Sequence, residues 1–525
     1  MTYTRREVRT LGGSWNETIL WYAKGVRALQ QKPITDPESW QFLGAMHGFH
    51  PVVWKQFQII TDATVLPDDA VQERYWLQCQ HQSWYFLPWH RGYLYAFEEI
   101  VRSAVVALGG PGDWALPYWN YSLNGGSARV LPNEFAQTHL PDGSDNPLFV
   151  SRRFGDGTLP ITIDAPSVAL SALDDGIFTG GDTDIPPGFG GPMTTFHHGP
   201  ESQTTNGGLE SLPHNNVHGA IGGAEPGTNP NQWWNLGLMS LPISAGLDPI
   251  FWLHHANIDR LWTLWSKMPN HANPTDPTRP ADKDWLEGPA DREFVMPLSG
   301  GREWVFTAKD VLDTRAQPLD YVYDDETPPV VTPRVARRLS TLGVQAVSPA
   351  GVPVEETIVS DTTRPELIGA SEPEVAVAGQ TRVEVKLDEA GVAPLRRSLT
   401  RAAAAGGASK EPPRVFLKME GIRGTADSAI YYVYVDLPAH GNPQDYPDRF
   451  AGSVSLFGVS AASVPDGPSA GGGLNQVLEI TTIVDALHLS GDDLAKLDIQ
   501  FVPSNAPNAT AEMRIRRLSV FKLGE

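Results

Sequence analysis

The sequence predicts a mainly α-helical N-terminal domain followed by an all-β C-terminal domain. Residues 89–108 and 248–265 space their apolar and aromatic side chains along one helical face. In the C-terminal third, short segments alternate apolar and polar residues, as strands do. A chain of 525 residues is too long for one ordinary core. We therefore expect a first domain at 1–325, a linker at 326–372 and a second domain at 373–525.

The second domain is predicted as a β-sandwich or jelly roll, because its strands are short and separated by loops rich in Gly and Pro. The linker opens with the proline-rich run ETPPVVTPR, which is typical of an exposed connection. The predicted strands lie at 374–387, 413–422, 428–437, 449–458, 476–487, 496–504 and 512–523.

Histidines form a metal-binding pattern in the second half of the first domain. His214 and His218 are four residues apart, so a helix places both rings on one face. Asp248 and Pro249 are a typical N-cap and first residue of a helix that carries His254 and His255. If the two helices pack together, three imidazoles converge on one point.

An upstream segment has the same composition in a different layout. Pro88 separates His81 from His90 and argues against one continuous helix, so His81 is expected before the helix and His90 in its first turns. A third imidazole must come from His47 or His50, the only histidines before His81.

Imidazoles without carboxylates or a thiolate pair favour copper, zinc or nickel over magnesium, calcium or an iron–sulfur cluster. A single histidine is usually a structural residue. The alternative to a metal centre is therefore that these six histidines are unrelated buried or surface residues. Two groups of three at these spacings instead predict a binuclear copper centre.

Four motifs in this order resemble the type-3 copper proteins, the family of tyrosinases, catechol oxidases and haemocyanins. The similarity spans about residues 15–325. It implies a four-helix bundle around two copper ions, and the β-domain is similar to that of plant and fungal pro-forms. The motifs are FLPWHR (86–91), LPYWNY (116–121), HNNVHGAIGG (214–223) and DPIFWLHHANIDRLW (248–262), followed by YVYDD (321–325).

The resemblance implies a ligand set. His47 is preferred to His50 because FLGAMHG matches the family's segment. His255 is preferred to His254 because it lies four residues after Phe251 and four before Asp259. His254, Asp259 and Phe251 are then expected around the ligands. The implied ligands are His47, His81 and His90 for copper A, and His214, His218 and His255 for copper B.

The only cysteine, Cys79, lies two residues before His81. In fungal relatives a cysteine at this spacing is joined to the histidine by a thioether, and the resemblance implies the same bond here. The alternative is a buried free thiol.

The resemblance also implies a reaction. Glu210 and Asn215 match residues that hold a proton-accepting water, so the chain is expected to hydroxylate monophenols to o-diphenols and oxidise these to o-quinones with dioxygen, the chemistry of melanin formation. Glu210 alone could also be a helix-start acidic residue. The alternatives are an oxidase limited to catechols or o-aminophenols and a haemocyanin-like dioxygen carrier.

In such relatives the C-terminal domain covers the copper pocket until it is displaced. The same role here makes 326–372 the expected cleavage segment, with Arg334, Arg337 and Arg338 as cleavable residues. The alternative is a domain that only aids folding, copper loading or oligomer contacts.

A net charge of −21 disfavours nucleic acids and anionic membranes as partners. No apolar run could cross a bilayer, and the N-terminus lacks the apolar core of a secretory signal, so a cytoplasmic location is expected, with export by another route as the alternative. A homo-oligomer and a copper chaperone are both compatible with the sequence. Residues 122–209 read as an irregular insertion in which His197 and His198 are expected at the surface or pocket rim.

Overall fold

The computed structural model describes residues 2–158, 160–181, 183–198, 204–225, 228–329, 334–342, 364–404, 411–438, 441–465, 469–492, 494–504 and 511–524. Its helices are α1 (Glu17–Gln30), α2 (Trp40–His47), α3 (Pro51–Gln56), α4 (Asp69–Tyr75), α5 (Phe86–Ala107), α6 (Asn216–Gly222), α7 (Pro249–Trp265), α8 (Pro280–Glu287), α9 (Arg334–Thr341), α10 (Glu389–Ala404), α11 (Val459–Ser463) and α12 (Thr481–Ser490). Its strands are β1 (Tyr3–Arg5), β2 (Phe294–Leu298), β3 (Arg302–Phe306), β4 (Tyr321–Tyr323), β5 (Glu366–Ala370), β6 (Val375–Ala378), β7 (Thr381–Leu387), β8 (Arg414–Gly424), β9 (Ile430–Val435), β10 (Phe450–Ser455), β11 (Leu474–Glu479), β12 (Lys496–Pro503) and β13 (Glu512–Leu523).

The two predicted helices are present as α5 and α7. Helix α7 starts as its sequence indicates, with the Asp248 side chain accepting from the amide of Ile250 and Pro249 in the first turn. Every residue of α7 is buried, so it is the central helix of the first domain. It packs on α5, where Phe97 and Trp252 stack with ring centroids 3.5 Å apart. None of the helices described is long and apolar enough to span a membrane.

In its described residues the predicted insertion at 122–209 has short 3₁₀ turns and isolated β-bridges. The predicted β-domain is also confirmed. It is one antiparallel sheet in the order β10-β9-β12-β7-β5-β13-β8-β11, with β6 paired to β13. The end strands β10 and β11 approach each other, so the sheet is nearly closed. Helices α10, α11 and α12 pack against it, and the segment predicted as one strand at 476–487 is β11 followed by α12.

Strand β9 joins the two domains. Its residues Ile430, Tyr432 and Tyr434 belong to the core of the helical domain. The alternating residues Tyr431 and Val433 belong to the core of the β-domain. Because successive side chains of a strand point to opposite faces, one strand can close two cores. Helix α6 packs on this strand.

The predicted linker contains structure. Strand β5 pairs with β13 and β7, so the sheet takes in residues before 373. Helix α9 packs into the β-domain core through Leu339 and Leu342. The prediction of cleavable arginines is wrong for two of the three, because Arg338 is buried and the Arg334 side chain is only 11% exposed. Both guanidiniums bond the Glu411 carboxylate, and only Arg337 is exposed.

Candidate metal centre

Two buried clusters of potential ligands adjoin in the helical domain. Cluster A contains His47, Cys79, His81 and His90, and cluster B contains His214, His218, His254 and His255. Within each cluster one ligand atom per residue lies within 4.8 Å of the others. Helices α2, α5, α6 and α7 bear most of these residues, so four helices surround the centre.

In cluster B three Nε2 atoms converge. The Nε2 of His214 is 3.1 Å from that of His218 and 3.2 Å from that of His255, and the last two are 3.4 Å apart. Imidazole nitrogens bound at about 2.0–2.1 Å to one tetrahedral ion lie about 3.3–3.4 Å from each other. The three nitrogens therefore have the spacing of ligands of one ion.

The local backbone sets this convergence. His214 is in the segment Glu210–Asn215, which is kinked at Leu212 (φ −148°, ψ 118°) and leads directly into α6. Its Leu212–Pro213 peptide bond is cis. His214 and His218 thus have the predicted spacing, but only His218 is on the regular helix α6.

Hydrogen bonds at Nδ1 orient four of the imidazoles. The Nδ1 of His47 bonds the carbonyl of Pro242 at 2.8 Å, and that of His90 bonds the carbonyl of Phe86 at 2.7 Å. An Nδ1 that donates leaves the Nε2 lone pair for a metal. In cluster B the corresponding acceptors are the side-chain oxygen of Asn215 for His214 and the carbonyl of Met239 for His218.

Burial keeps these rings neutral. It lowers the pKa of His47 to about 3 and, with neighbouring histidines, holds the pKa of the other cluster imidazoles well below the usual value. Neutral imidazole is the form that binds metals. The Nε2 of His47 is buried and has no hydrogen-bond partner in the part of the chain that the structure describes, as expected of an atom that faces an ion.

The clusters touch each other. The rings of His90 and His255 stack at 15° with centroids 4.4 Å apart. Phe251 lies between the clusters, with its ring centroid 4.8 Å from that of His47 and 4.1 Å from that of His255. Phe251 therefore packs against potential ligands of both ions, in the surrounding position expected for it.

The alternatives left open by the sequence differ in geometry. His50 is exposed and its Nδ1 accepts from the amide of Val53 at the start of α3, so it caps a helix. His254 lies in cluster B, its ring stacked 5.4 Å from that of His214. Neither nitrogen of His254 has a hydrogen-bond partner among the described residues, and the Nε2 convergence involves His255 instead.

None of the hydrogen bonds that the described residues make with the Asp259 carboxylate comes from an imidazole. Its carboxylate bonds the guanidiniums of Arg5 and Arg91 and the hydroxyls of Tyr321 and Tyr323. These cations and hydroxyls lower its pKa although burial opposes them. The expected role of orienting a ligand ring is thus replaced by one of tying α7 to α5, β1 and β4.

Glu210 and Asn215 border a cavity of about 10 Å³, enough for about one water molecule. His81 and Phe457 also line it. Both carboxylate oxygens of Glu210 accept from the Gln82 amide at 2.9 Å. Burial raises the pKa of Glu210 to about 8, against the effect of the Gln82 and Gly207 amides.

The β-domain covers the centre. Phe457, in the loop between β10 and α11, is 6% exposed and stacks on the ring of His218. Polar bonds hold β10 to the ligand-bearing segment. The Asn216 side chain donates to Ser453 at 2.7 Å, and the Ser455 hydroxyl donates to the carbonyl of Asn215 at 3.1 Å. Sequence reasoning missed Phe457 because nothing local marks it as a pocket residue.

His197 is buried rather than at the surface, and His198 is half-buried. His197 is 6% exposed, and both side chains bond the backbone of the Cys79–His81 segment. The sequence signal for this contact is absent, because more than a hundred residues separate the two segments.

Comparisons with known proteins agree with this geometry. A family model described as the common central domain of tyrosinase matches residues 37–169 and 178–268, and a domain of unknown function matches 364–523. Tyrosinase HcTyr1 of Hahella sp. (strain CCB-MM4) is 32% identical over 522 residues, 96% of this chain and 97% of that one. A chloroplastic polyphenol oxidase of Malus domestica is 25% identical over 90% of this chain and 71% of its own.

Solved structures share the two-domain fold. Latent apple tyrosinase superposes with a TM-score of 0.56 at 20% identity, covering 100% of this chain and 98% of that one. Latent aurone synthase gives 0.55 at 17% identity, covering 99% and 89%. The all-imidazole donor set fits two copper ions, the cofactor of this family. The chain therefore belongs to the tyrosinase family of type-3 copper oxidoreductases and has the fold of a latent polyphenol oxidase.

Proposed function

We propose that this protein is a tyrosinase, which hydroxylates monophenols to o-diphenols and oxidises these to o-quinones, and that its β-domain keeps it latent. His47, His81 and His90 would hold one copper ion, and the second would be held by His214, His218 and His255. Bound copper supplies dioxygen binding and the redox chemistry.

The cavity between Glu210 and Asn215 is the observation that carries the monophenolase assignment. A phenol has a pKa of about 10 and must lose its proton before it can act as a phenolate. Burial raises the pKa of Glu210, so its ionised carboxylate is a stronger base than an ordinary one and can accept a proton directly or through one water. The cavity is about one water molecule in size and lies beside His81.

Latency is supported by Phe457. Its ring covers His218 and lies 5.9 Å from the ring of His81 and 6.0 Å from that of His214. An aromatic substrate needs the same contact surface, so Phe457 and a phenol would exclude each other. The β-domain must move before substrate can reach the centre.

We further propose that Cys79 and His81 form a thioether. The Sγ of Cys79 is 3.5 Å from Nδ1 and 3.6 Å from Nε2 of His81. It is thus almost equally far from the two ring nitrogens, as expected of an atom placed to bond Cε1, the carbon between them. Forming the bond removes one hydrogen from the thiol and one from Cε1, and dioxygen takes up the two electrons. The product has no reactive thiol beside the metals.

The test is oxygen consumption by the copper-loaded protein with a monophenol and with the matching catechol, before and after brief proteolysis. A tyrosinase turns over both, and proteolysis raises both rates. Glu210→Gln should lower the monophenol rate about 10²–10⁴-fold, the usual contribution of a general base, while catechol oxidation changes far less. Glu134→Gln, a buried carboxylate elsewhere, is the control.

Turnover of catechol or o-aminophenol alone would instead identify an oxidase without hydroxylase activity. Reversible dioxygen binding without turnover, also after proteolysis, would identify a carrier.

A further inference from the structure

Two histidines outside both clusters, His197 and His198, form hydrogen bonds with the backbone beside His81. Gln80 and His198 form an antiparallel bridge, and the amide of His81 donates to the carbonyl of His197 at 3.3 Å. The amide of His197 donates in turn to the side-chain oxygen of Gln80 at 2.8 Å. Segment 194–198 therefore pairs with the segment that carries Cys79 and His81.

The side chains add two more bonds of one kind. The Nδ1 of His198 is 2.9 Å from the carbonyl oxygen of Cys79, and the Nδ1 of His197 is 2.7 Å from the carbonyl oxygen of His81. A carbonyl oxygen only accepts, so both rings must donate through Nδ1. Each carbonyl that flanks Gln80 thus has an imidazole donor, and neither ring belongs to the two clusters of potential ligands found among the described residues.

The segment from Cys79 to His81 is not part of a helix. His47, His90, His218 and His255 are on helices, whereas His81 lies in irregular chain before α5. The next residue, Gln82, has a left-handed φ of 52°. Buried backbone carbonyls outside regular structure need side-chain or water partners, and the orientation of a side chain follows that of its backbone.

Segment 194–198 is itself anchored. The Thr194 hydroxyl is 2.6 Å from that of Ser83, and the indole of Trp84 donates to the Thr194 carbonyl at 2.9 Å. On the other side the amide of Phe196 donates to Asp291 at 2.9 Å. The segment can therefore transmit a fixed position to the chain that bears His81.

We propose that His197 and His198 are positioning residues for copper A. By donating Nδ1–H to the carbonyls of His81 and Cys79, they fix the backbone from which the His81 imidazole reaches the ion. Neither ring belongs to the proposed ligand set. The effect is on how tightly copper A is held, because groups around metal ligands set ligand orientation.

The test exploits the geometry of asparagine, whose Nδ2 lies as many bonds from Cα as the Nδ1 of histidine. We compare His197→Leu and His198→Leu with His197→Asn and His198→Asn. His139→Leu, at a side chain 60% exposed, is the control. Copper per chain and the rate of copper loss to a fixed chelator concentration are measured, together with Tm of the copper-free variants.

We expect the Leu variants to lose one copper about 10–100-fold faster than wild type, the usual effect of such changes on metal affinity. The Asn variants should retain two copper ions per chain. Wild-type copper retention in both Leu variants would overturn the proposal. Equal copper loss in the Leu and Asn variants would overturn it as well, because the donated hydrogen bond would then not matter. If His197→Leu fails to fold, His198→Leu and His198→Asn test the proposal, because His198 is only half-buried. Wild-type copper retention in His198→Leu, or equal copper loss in the two variants, would overturn it.

Discussion

The ring of Phe457 stacks on the imidazole of His218 at 27°, with centroids 4.3 Å apart. One residue belongs to the β-domain and the other to a helix of the copper centre, so the contact links domain docking directly to access of substrate.

Phe457→Ala should raise the rate of the intact protein without proteolysis. A stacked aromatic pair contributes about 0.5–1.5 kcal/mol beyond its buried area. A difference of about 1.4 kcal/mol corresponds to a factor of ten, so we expect kcat/KM for catechol to rise about 2- to 13-fold. Leu367→Ala, at a side chain 44% exposed on β5, should leave the rate unchanged. An unchanged rate for Phe457→Ala would place the barrier elsewhere in the domain interface.

The position of a cut relative to α9 should decide how far it activates. Arg338 bonds Asp485 at 2.7 and 3.1 Å and Glu411 at 3.0 Å, all within the β-domain. A protease site engineered within 343–363 leaves α9 attached to the helical domain and still docked. A site replacing 327–332 leaves α9 with the β-domain, so this cut should give the larger rate increase and the faster separation of fragments.

Arg338→Met should remove the difference between the two cuts, because breaking a buried ion pair costs about 3–5 kcal/mol. Rates before and after each cut, with gel filtration of the fragments, are the measurement. Arg396→Met, at a surface pair with Glu389, is the control and should preserve the difference. Equal activation by both cuts in wild type would show that α9 does not hold the domains together.

Copper content should distinguish His255 from His254. The Nε2 of His255 is part of the convergent triad, so His255→Ala should lower copper from two per chain towards one. His254→Ala should retain both ions, since another ring completes the triad. Metal analysis of both variants beside His139→Ala is sufficient. The reverse result would exchange the two assignments.

Mass spectrometry of the intact protein should detect the thioether between Cys79 and His81. Wild-type protein loaded with copper in air should weigh less than its sequence by two hydrogens, and reductant should not restore them. Cys79→Ala should have its full sequence mass. A reducible mass change, or a freely titratable thiol in the unfolded wild type, would identify Cys79 as uncrosslinked.

Asp427 should make the β-domain less stable as pH rises. Its buried carboxylate accepts from the amide of Ser460 at 3.1 Å, near Phe457, and burial raises its pKa to about 7 from 3.8. The folded state therefore binds more protons between these values, so the free energy of unfolding falls from about pH 4 to pH 7 and is level above. Asp427→Asn keeps the acceptor, and its advantage in Tm should grow over the same range. A constant difference would mean that Asp427 has an ordinary pKa.

Local sequence was sufficient for the elements whose signals lie within a few residues. Asp248 and Pro249 marked the start of α7, and Pro88 excluded a helix across His81 and His90. It was insufficient at 476–487, where Ile480 ends strand pairing and a helix follows although the apolar pattern continues.

By itself the sequence determined the two fold classes and the segments whose histidines meet at the centre, because helical and strand periods and ligand spacings are local properties. The choice of His47 over His50 and of His255 over His254 came from the family resemblance. Tertiary structure alone decided that Phe457 covers His218, that His197 and His198 hold the chain beside His81, and that α9 is clamped by Glu411. The residue type alone indicates whether a side chain needs apolar packing or a hydrogen-bond partner. Which distant segment provides that partner depends on how the domains dock, and no local pattern records it.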